Sequence, residues 1–179
     1  MVTTFIKEMQ ALIIQKQLVP GKEGTGKKNT EALVLPRELT LAALSQLKSD
    51  EAHEERNQIF RFIRGLGLAN TYREADEEKG IAGEKAGLLL VRADMAGLNF
   101  TRTNLSEINL TDAVLRDANF TGAGLRDANI TGADLWDANF TRAYLGGANF
   151  TGACGPVKSL KDAHDIPEEL KNLKGCYSY

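Results

Sequence analysis

The chain has 179 residues, 42% of them apolar and 26% charged, which suits one domain or a repeat array with an appendage and excludes disorder along its whole length. Its 22 Lys and Arg face 24 Asp and Glu, divided as 13 and 13 over residues 1 to 87, 5 and 7 over 88 to 155, and 4 and 4 over 156 to 179. That balance fits neither a basic nucleic-acid binder nor an overt polyanion, so no direct nucleic-acid binding is expected.

Residues 1–69 have helical spacing and are expected to form an α-helical domain. Phe5, Met9, Leu12 and Ile13 make one apolar stripe, Leu39, Ala43, Leu44 and Leu47 a second, and Ile59, Phe62, Ile63 and Leu66 a third. Gly65 or Gly67 would stop the last helix. The charged, amphipathic start MVTTFIKEMQ lacks the apolar core of a signal peptide, and no run of 18 apolar residues exists, so an unexported protein without a membrane span is expected.

The segment Gly21-Lys22-Glu23-Gly24-Thr25-Gly26-Lys27-Lys28 falls one residue short of a P-loop: Lys28 stands where a magnesium-binding hydroxyl is needed, and a helix, not a strand, is expected before it. Residues 21–30 therefore read as a mobile loop without a nucleotide. Residues 70–87, rich in Glu and Asp, read as a solvated connector. His53 and His164 have acidic neighbours but no second His or Cys at ligand spacing, so neither metal nor cofactor is expected.

From residue 88 to 155 a period of five takes over. Met95, Phe100, Leu105, Leu110, Leu115, Phe120, Leu125, Ile130, Leu135, Phe140, Leu145 and Phe150 form one column of large apolar residues. Two positions before each lies a second column, mostly Ala, with Leu98, Thr103 and Ile108 departing from it. Neither a helix of period 3.6 nor a strand of period 2 can hold such a set on one face, so the backbone must turn once per repeat. Four turns close a square, which predicts a superperiod of twenty. Asn99-Phe100-Thr101 recurs at Asn119-Phe120-Thr121 and Asn139-Phe140-Thr141 at that spacing, and the Asn109, Asn129 and Asn149 triplets form a second such set. Coils about 4.8 Å apart would stack Phe100, Phe120 and Phe140 inside and ladder Asn and Thr outside. The N-x-T sequons are thus outward rungs, and glycosylation is not expected.

The pattern, written out in Ala133-Asp134-Leu135, Ala118-Asn119-Phe120, Ala128-Asn129-Ile130, Ala138-Asn139-Phe140 and Ala148-Asn149-Phe150, resembles the pentapeptide-repeat proteins, whose repeat is A-(D/N)-L-x-x. The resemblance covers about 65 residues and implies a β-solenoid, a right-handed quadrilateral β-helix of about three coils. Val114, Gly124, Tyr144 and Cys154 depart from it without breaking the period. The stretch Glu55 to Ile63 followed by Gly67-Leu68 is similar to a helical segment that precedes the repeats in some cyanobacterial members. Gly155-Pro156 is expected to end the array, and residues 156–179 to form a cap and tail, with a short helix over Ile166 to Leu173 covering the last coil.

Cys154 and Cys176 are too few to make a disulfide framework and are expected as reduced thiols in a cytoplasmic protein. No nucleophile, base and oxyanion donors assemble, so no enzyme is expected. The candidate partner-binding residues are Trp136 and Arg116, one coil apart with the guanidinium over the indole, outward Tyr144 on a neighbouring side, and Arg126 and Arg142. The expectation is a non-catalytic interaction or scaffolding module for an unknown protein partner, monomeric or a weak homodimer. The resemblance also implies an alternative, since some family members mimic DNA and bind type II topoisomerase (gyrase). A net charge of minus two over the repeat, interrupted by Arg102, Arg116, Arg126 and Arg142, argues against it.

Overall fold

The computed structural model describes residues 2–16, 34–65 and 90–176, with side chains of 12–16, 34 and 35 excepted. The glycine-rich segment 21–30, the connector 70–87, Leu66 and Gly67, and the Leu12 and Ile13 side chains lie outside the described residues.

Residues 90–165 wind into a β-solenoid. Its rungs are parallel pairings between residues twenty apart, from Asp94 with Val114 through Asn119 with Asn139 to Tyr144 with His164. Each side of the coil is three residues long, and each corner is a β-turn: the Thr103 amide donates to Phe100 O (3.0 Å) and the Ala123 amide to Phe120 O (2.9 Å). With four corners in twenty residues the coil is four-sided. Sides this short allow one bridge each, so no continuous strand develops among the described residues, and the backbone is satisfied by bonds between coils such as Phe120 N–H to Asn139 O at 2.7 Å.

All twelve residues of the large apolar column are buried, as are the alanines two positions before them. Phe100 and Phe120 stack with centroids 5.0 Å apart, and Phe120 and Phe140 at 4.9 Å and 4°. Phe150 closes the stack edge-on against Phe140 at 5.9 Å.

Three helices precede the solenoid: α1 (Val2–Lys16), α2 (Val34–Gln46) and α3 (His53–Gly65), the last entered through a 3-10 turn at Asp50–Ala52. Ser49 Oγ caps that turn by accepting the Glu51 amide. Phe5, Met9, Ala43, Leu44, Leu47, Ile59 and Ile63 are buried, and Leu39 and Phe62 pack against them half-buried. Phe60, outside the expected stripe, is buried too and lies 6.1 Å from Phe100, so α3 extends the aromatic column out of the solenoid.

The helices also satisfy the exposed backbone of the first coil. Inside the solenoid, Thr121 O accepts from Arg102 N–H and Arg126 O from Glu107 N–H. The equivalent oxygens one coil earlier, Thr101 O and Ser106 O, accept instead from Arg56 Nη2 (2.8 Å) and Arg64 Nη1 (3.0 Å). Val91 O likewise accepts from Arg37 Nη2, and the Asn104 amide donates to Asn57 Oδ1. Helical side chains thus stand in for a preceding coil and block an edge that could template aggregation.

The C-terminal end departs from expectation in three ways. The coil does not stop at Gly155-Pro156: Asp137 N–H donates to Pro156 O, and Ser159 and His164 still form rungs, because proline lacks only a donor and its carbonyl remains an acceptor. The helix is a single turn, α4 (Glu168–Lys171), which buries Leu170 while Ile166 and Leu173 are half-buried. Lastly, Cys154 and Cys176 are joined in a disulfide with Cα atoms 4.9 Å apart, not reduced. The Gly155 amide donates to Lys174 O (2.7 Å), which lays the tail beside Cys154 and brings the sulfurs together.

Candidate interaction surface

What the solenoid presents outward is set by its corners. The third residue of each turn has positive φ, with no positive φ at the second, which is type II geometry. Gly97, Gly122, Gly132, Gly147 and Gly152 fill some of these positions, but Arg92, Arg102, Glu107, Asp112, Asp117, Asp127, Asp137, Arg142 and Asp162 fill the others at φ between 54° and 59°. Much of the outward charge therefore stands at left-handed corners, where short Asp is tolerated better than most L-residues. Cross-coil ion pairs balance part of it: Arg92 with Asp112 (3.4 Å), Arg142 with Asp162 (3.8 Å) and Arg116 with Asp134.

The Asn columns are internally satisfied. Oδ1 of Asn119 accepts both the amide (3.1 Å) and the hydroxyl (2.6 Å) of Thr121, and Asn109, Asn129 and Asn139 repeat the arrangement. These Asx turns give each sequon a structural role.

Trp136 is 43% exposed at its corner and Tyr144 50% exposed in the middle of a side. Arg116 shares Trp136's corner one coil earlier, but its Nε bonds Asp134 Oδ2, and no guanidinium–indole contact forms among the described residues. The competing carboxylate sits one rung from the arginine and offers a charged acceptor, a stronger partner than a ring face. Gly155 lies beneath the tryptophan, and a Cβ there would stand 2.7 Å from Trp136 N.

Tyr144 does not neighbour this corner. Its side, 143–145, is opposite side 133–135, with side 138–140 between, because ten residues are half of a twenty-residue coil. Its ring stacks on His164 at 4.6 Å and 8°. Arg126 occupies the corner of Ser106 and Gly146, and Arg142 that of Arg102 and Gly122. The five candidates are thus spread around the solenoid and form no single patch.

Arg56, the most buried charged side chain described, escaped sequence reasoning. Nε bonds Thr103 Oγ1 (3.0 Å), Nη1 bonds Leu47 O and Ser49 O (both 2.8 Å), and Nη2 bonds Thr101 O. Desolvation lowers its pKa, opposed by Asp50 and Glu55. Thr103, the polar intruder in the alanine column, is the only advance signal: its hydroxyl is where the arginine docks. Burial likewise lowers the Arg64 pKa, with Glu107 opposing.

Asp134, Cys154 and Cys176 bring one carboxylate oxygen and two sulfurs within 4.8 Å of one another. With the sulfurs bonded to each other, no thiolate is offered, and the cluster is a covalent staple.

These features define a capped β-solenoid of five-residue repeats. Residues 93–132 and 123–154 match the family described as Pentapeptide repeats, in eight copies. Among solved structures, a pentapeptide repeat protein from the thylakoid lumen of Arabidopsis thaliana is 32% identical over 42% of this chain and 63% of its own, with a TM-score of 0.22. HetL, a pentapeptide repeat protein involved in heterocyst differentiation regulation in the cyanobacterium Nostoc, is 25% identical over 45% and 39%, at 0.19. A third pentapeptide repeat protein, from the cyanobacterium Cyanothece, is 27% identical over 55% and 79%, at 0.24. The chain spans less than two thirds of the length of the first two. No curated protein matches it. Among the described residues no helix is long and apolar enough to cross a membrane.

Proposed function

We propose that this pentapeptide-repeat chain is a non-catalytic interaction module, a rigid rod closed by helices at one end and by a disulfide-fastened tail at the other, which binds a protein partner through its outer faces. The supporting observation is that Trp136 and Tyr144 are the exposed large hydrophobic side chains among the described residues, on an exterior made mostly of charged corners and self-satisfied Asn and Thr ladders. Large aromatics dominate protein interfaces, and rigid backbone beneath them lowers the ordering cost of binding. The disulfide fits work in an oxidising compartment. A DNA-mimic role is less well supported, since three of the acidic residues, Asp112, Asp134 and Asp162, are paired with arginines.

The test is affinity capture from native extract with the wild-type chain and with Trp136→Ala and Tyr144→Ala separately. One of the two substitutions should abolish recovery of the main partner. Equal recovery by both variants overturns the assignment.

A further inference from the structure

Fifteen rung positions run from Asp94 to His164, and fourteen carry an outward side chain; Gly124 carries none. Nothing in the backbone demands that glycine. Its φ is not in the left-handed region, unlike Gly122 and Gly132, and a Cβ would make only ordinary contacts, with Ser106 Oγ at 3.7 Å and Asn104 Oδ1 at 3.8 Å. The missing side chain leaves a notch in the ladder.

Tyr144 is the next rung, paired to Gly124. One face of its ring is covered by the parallel His164 imidazole. Stacking along the solenoid axis turns the other face toward the level of Gly124, and half of the residue is exposed. Asn104 lies two rungs above Tyr144, about 10 Å, so one planar group fits over the ring where the glycine leaves space.

The chemistry of the walls selects that group. The floor is an electron-rich phenol face. Asn104 Oδ1, which accepts the Ser106 amide (3.0 Å), and Ser106 Oγ border the opposite wall. Exposed Glu107 and Asp127 stand at the adjoining corner, with Arg126 beside them. A neutral aromatic ring would stack but gain nothing from the carboxylates at that corner, and an ammonium has no plane to stack; a guanidinium is flat and cationic, and stacked on the phenol it turns its in-plane donors sideways, toward the corner and solvent, while Asn104 and Ser106 only bound the space above it.

We propose that the notch between Asn104 and Tyr144 is a receptor for one arginine side chain of a partner protein. Only the source of the arginine rests on the interaction-module reading. Arg126 opposes a second cation there, so its removal strengthens binding.

The test titrates N-acetyl-arginine methylamide into the full chain and follows the Tyr144 ring and Gly124 amide by NMR, with lysine and phenylalanine analogues as controls. Saturable shifts are expected with the arginine probe, at least about tenfold weaker with the lysine analogue, and stronger in Arg126→Ala. Gly124→Phe, which fills the notch, should abolish them without lowering the melting temperature; should it unfold the chain, Gly124→Val and Tyr144→Ala provide the same comparison. Absence of saturable shifts, an equal response to phenylalanine, or persistence in the filled variant overturns the notch. That failure is distinguishable from failure of the module reading, because partner capture from extract is read independently of the probe titration and can persist without an arginine in the notch.

Discussion

Phe120 lies between two parallel rings, so truncating it removes contacts on both faces at once. Phe120→Ala should cost about 3 to 5 kcal/mol by denaturant melting, whereas Thr121→Ala, which deletes an outward hydroxyl bonded to Asn119, should cost about 1 kcal/mol. The glycines separate just as clearly. Gly147 has φ +73°, and a Cβ there would lie 2.1 Å from Asp127 Oδ1, so Gly147→Ala combines backbone strain with a displaced carboxylate and should cost about 1 to 2 kcal/mol. Gly124→Ala meets neither obstacle and should be neutral or stabilise by up to about 1 kcal/mol. A loss at Gly124 equal to that at Gly147 would show that its backbone needs glycine after all.

Among the elements, α3 depends on a single guanidinium. Arg56→Met leaves three carbonyls and the Thr103 hydroxyl without their donor and should destabilise the chain by about 3 kcal/mol, first seen as faster hydrogen exchange in the helices and coil 90–109. Arg56→Lys should not rescue it, because one ammonium cannot span the fork's four acceptors. Asp50, beside this joint, has a lowered pKa, chiefly from the Asn99 side chain, which donates at 2.8 Å. A carboxyl depressed in the folded state contributes stability above its unfolded pKa, about 3.9, and loses it as pH falls through the lower folded value. The stability difference between wild type and Asp50→Ala should therefore shrink below about pH 4, by a small amount because the group is exposed. At the other end, reducing the disulfide releases a loop of sequence separation 22 and should cost about 3 kcal/mol in the chain-entropy account, with exchange rising in residues 156–176 before the central coils.

For the molecule as a whole, charge balance and shape decide the mode of binding. With ion pairs linking successive coils, partner capture should weaken only modestly between low and physiological salt. A DNA mimic would lose affinity steeply, since its carboxylates must replace phosphates. Purified chain should leave gyrase supercoiling unchanged at micromolar concentration, and neutralising Asp117 and Asp137 should leave capture intact. Trp136, the only tryptophan, should emit as an exposed indole and be readily quenched by acrylamide. A blue-shifted signal that relaxes on dilution would instead reveal a homodimer through that corner.

The solenoid was legible in the amino-acid sequence because its interactions repeat locally: the five-residue period allows one turn geometry, the twenty-residue period sets the rung, and each Asn serves the Thr two residues on. Even the separation of Trp136 from Tyr144 can be counted from that period, because eight residues carry the chain past a full intervening side. Contacts made once, between distant segments, left no such trace. Arg56 lies in a strongly charged helix and resembles any solvated residue until coil 90–109 presents Thr101 and Thr103 to it. Cys154 and Cys176 meet because the tail folds back to bond Gly155, which no spacing rule anticipates. The bare rung at Gly124 was visible as a departure from the repeat. Its meaning came only from the stacking of Tyr144 on His164, since tertiary packing alone determines which face of a ring stays open.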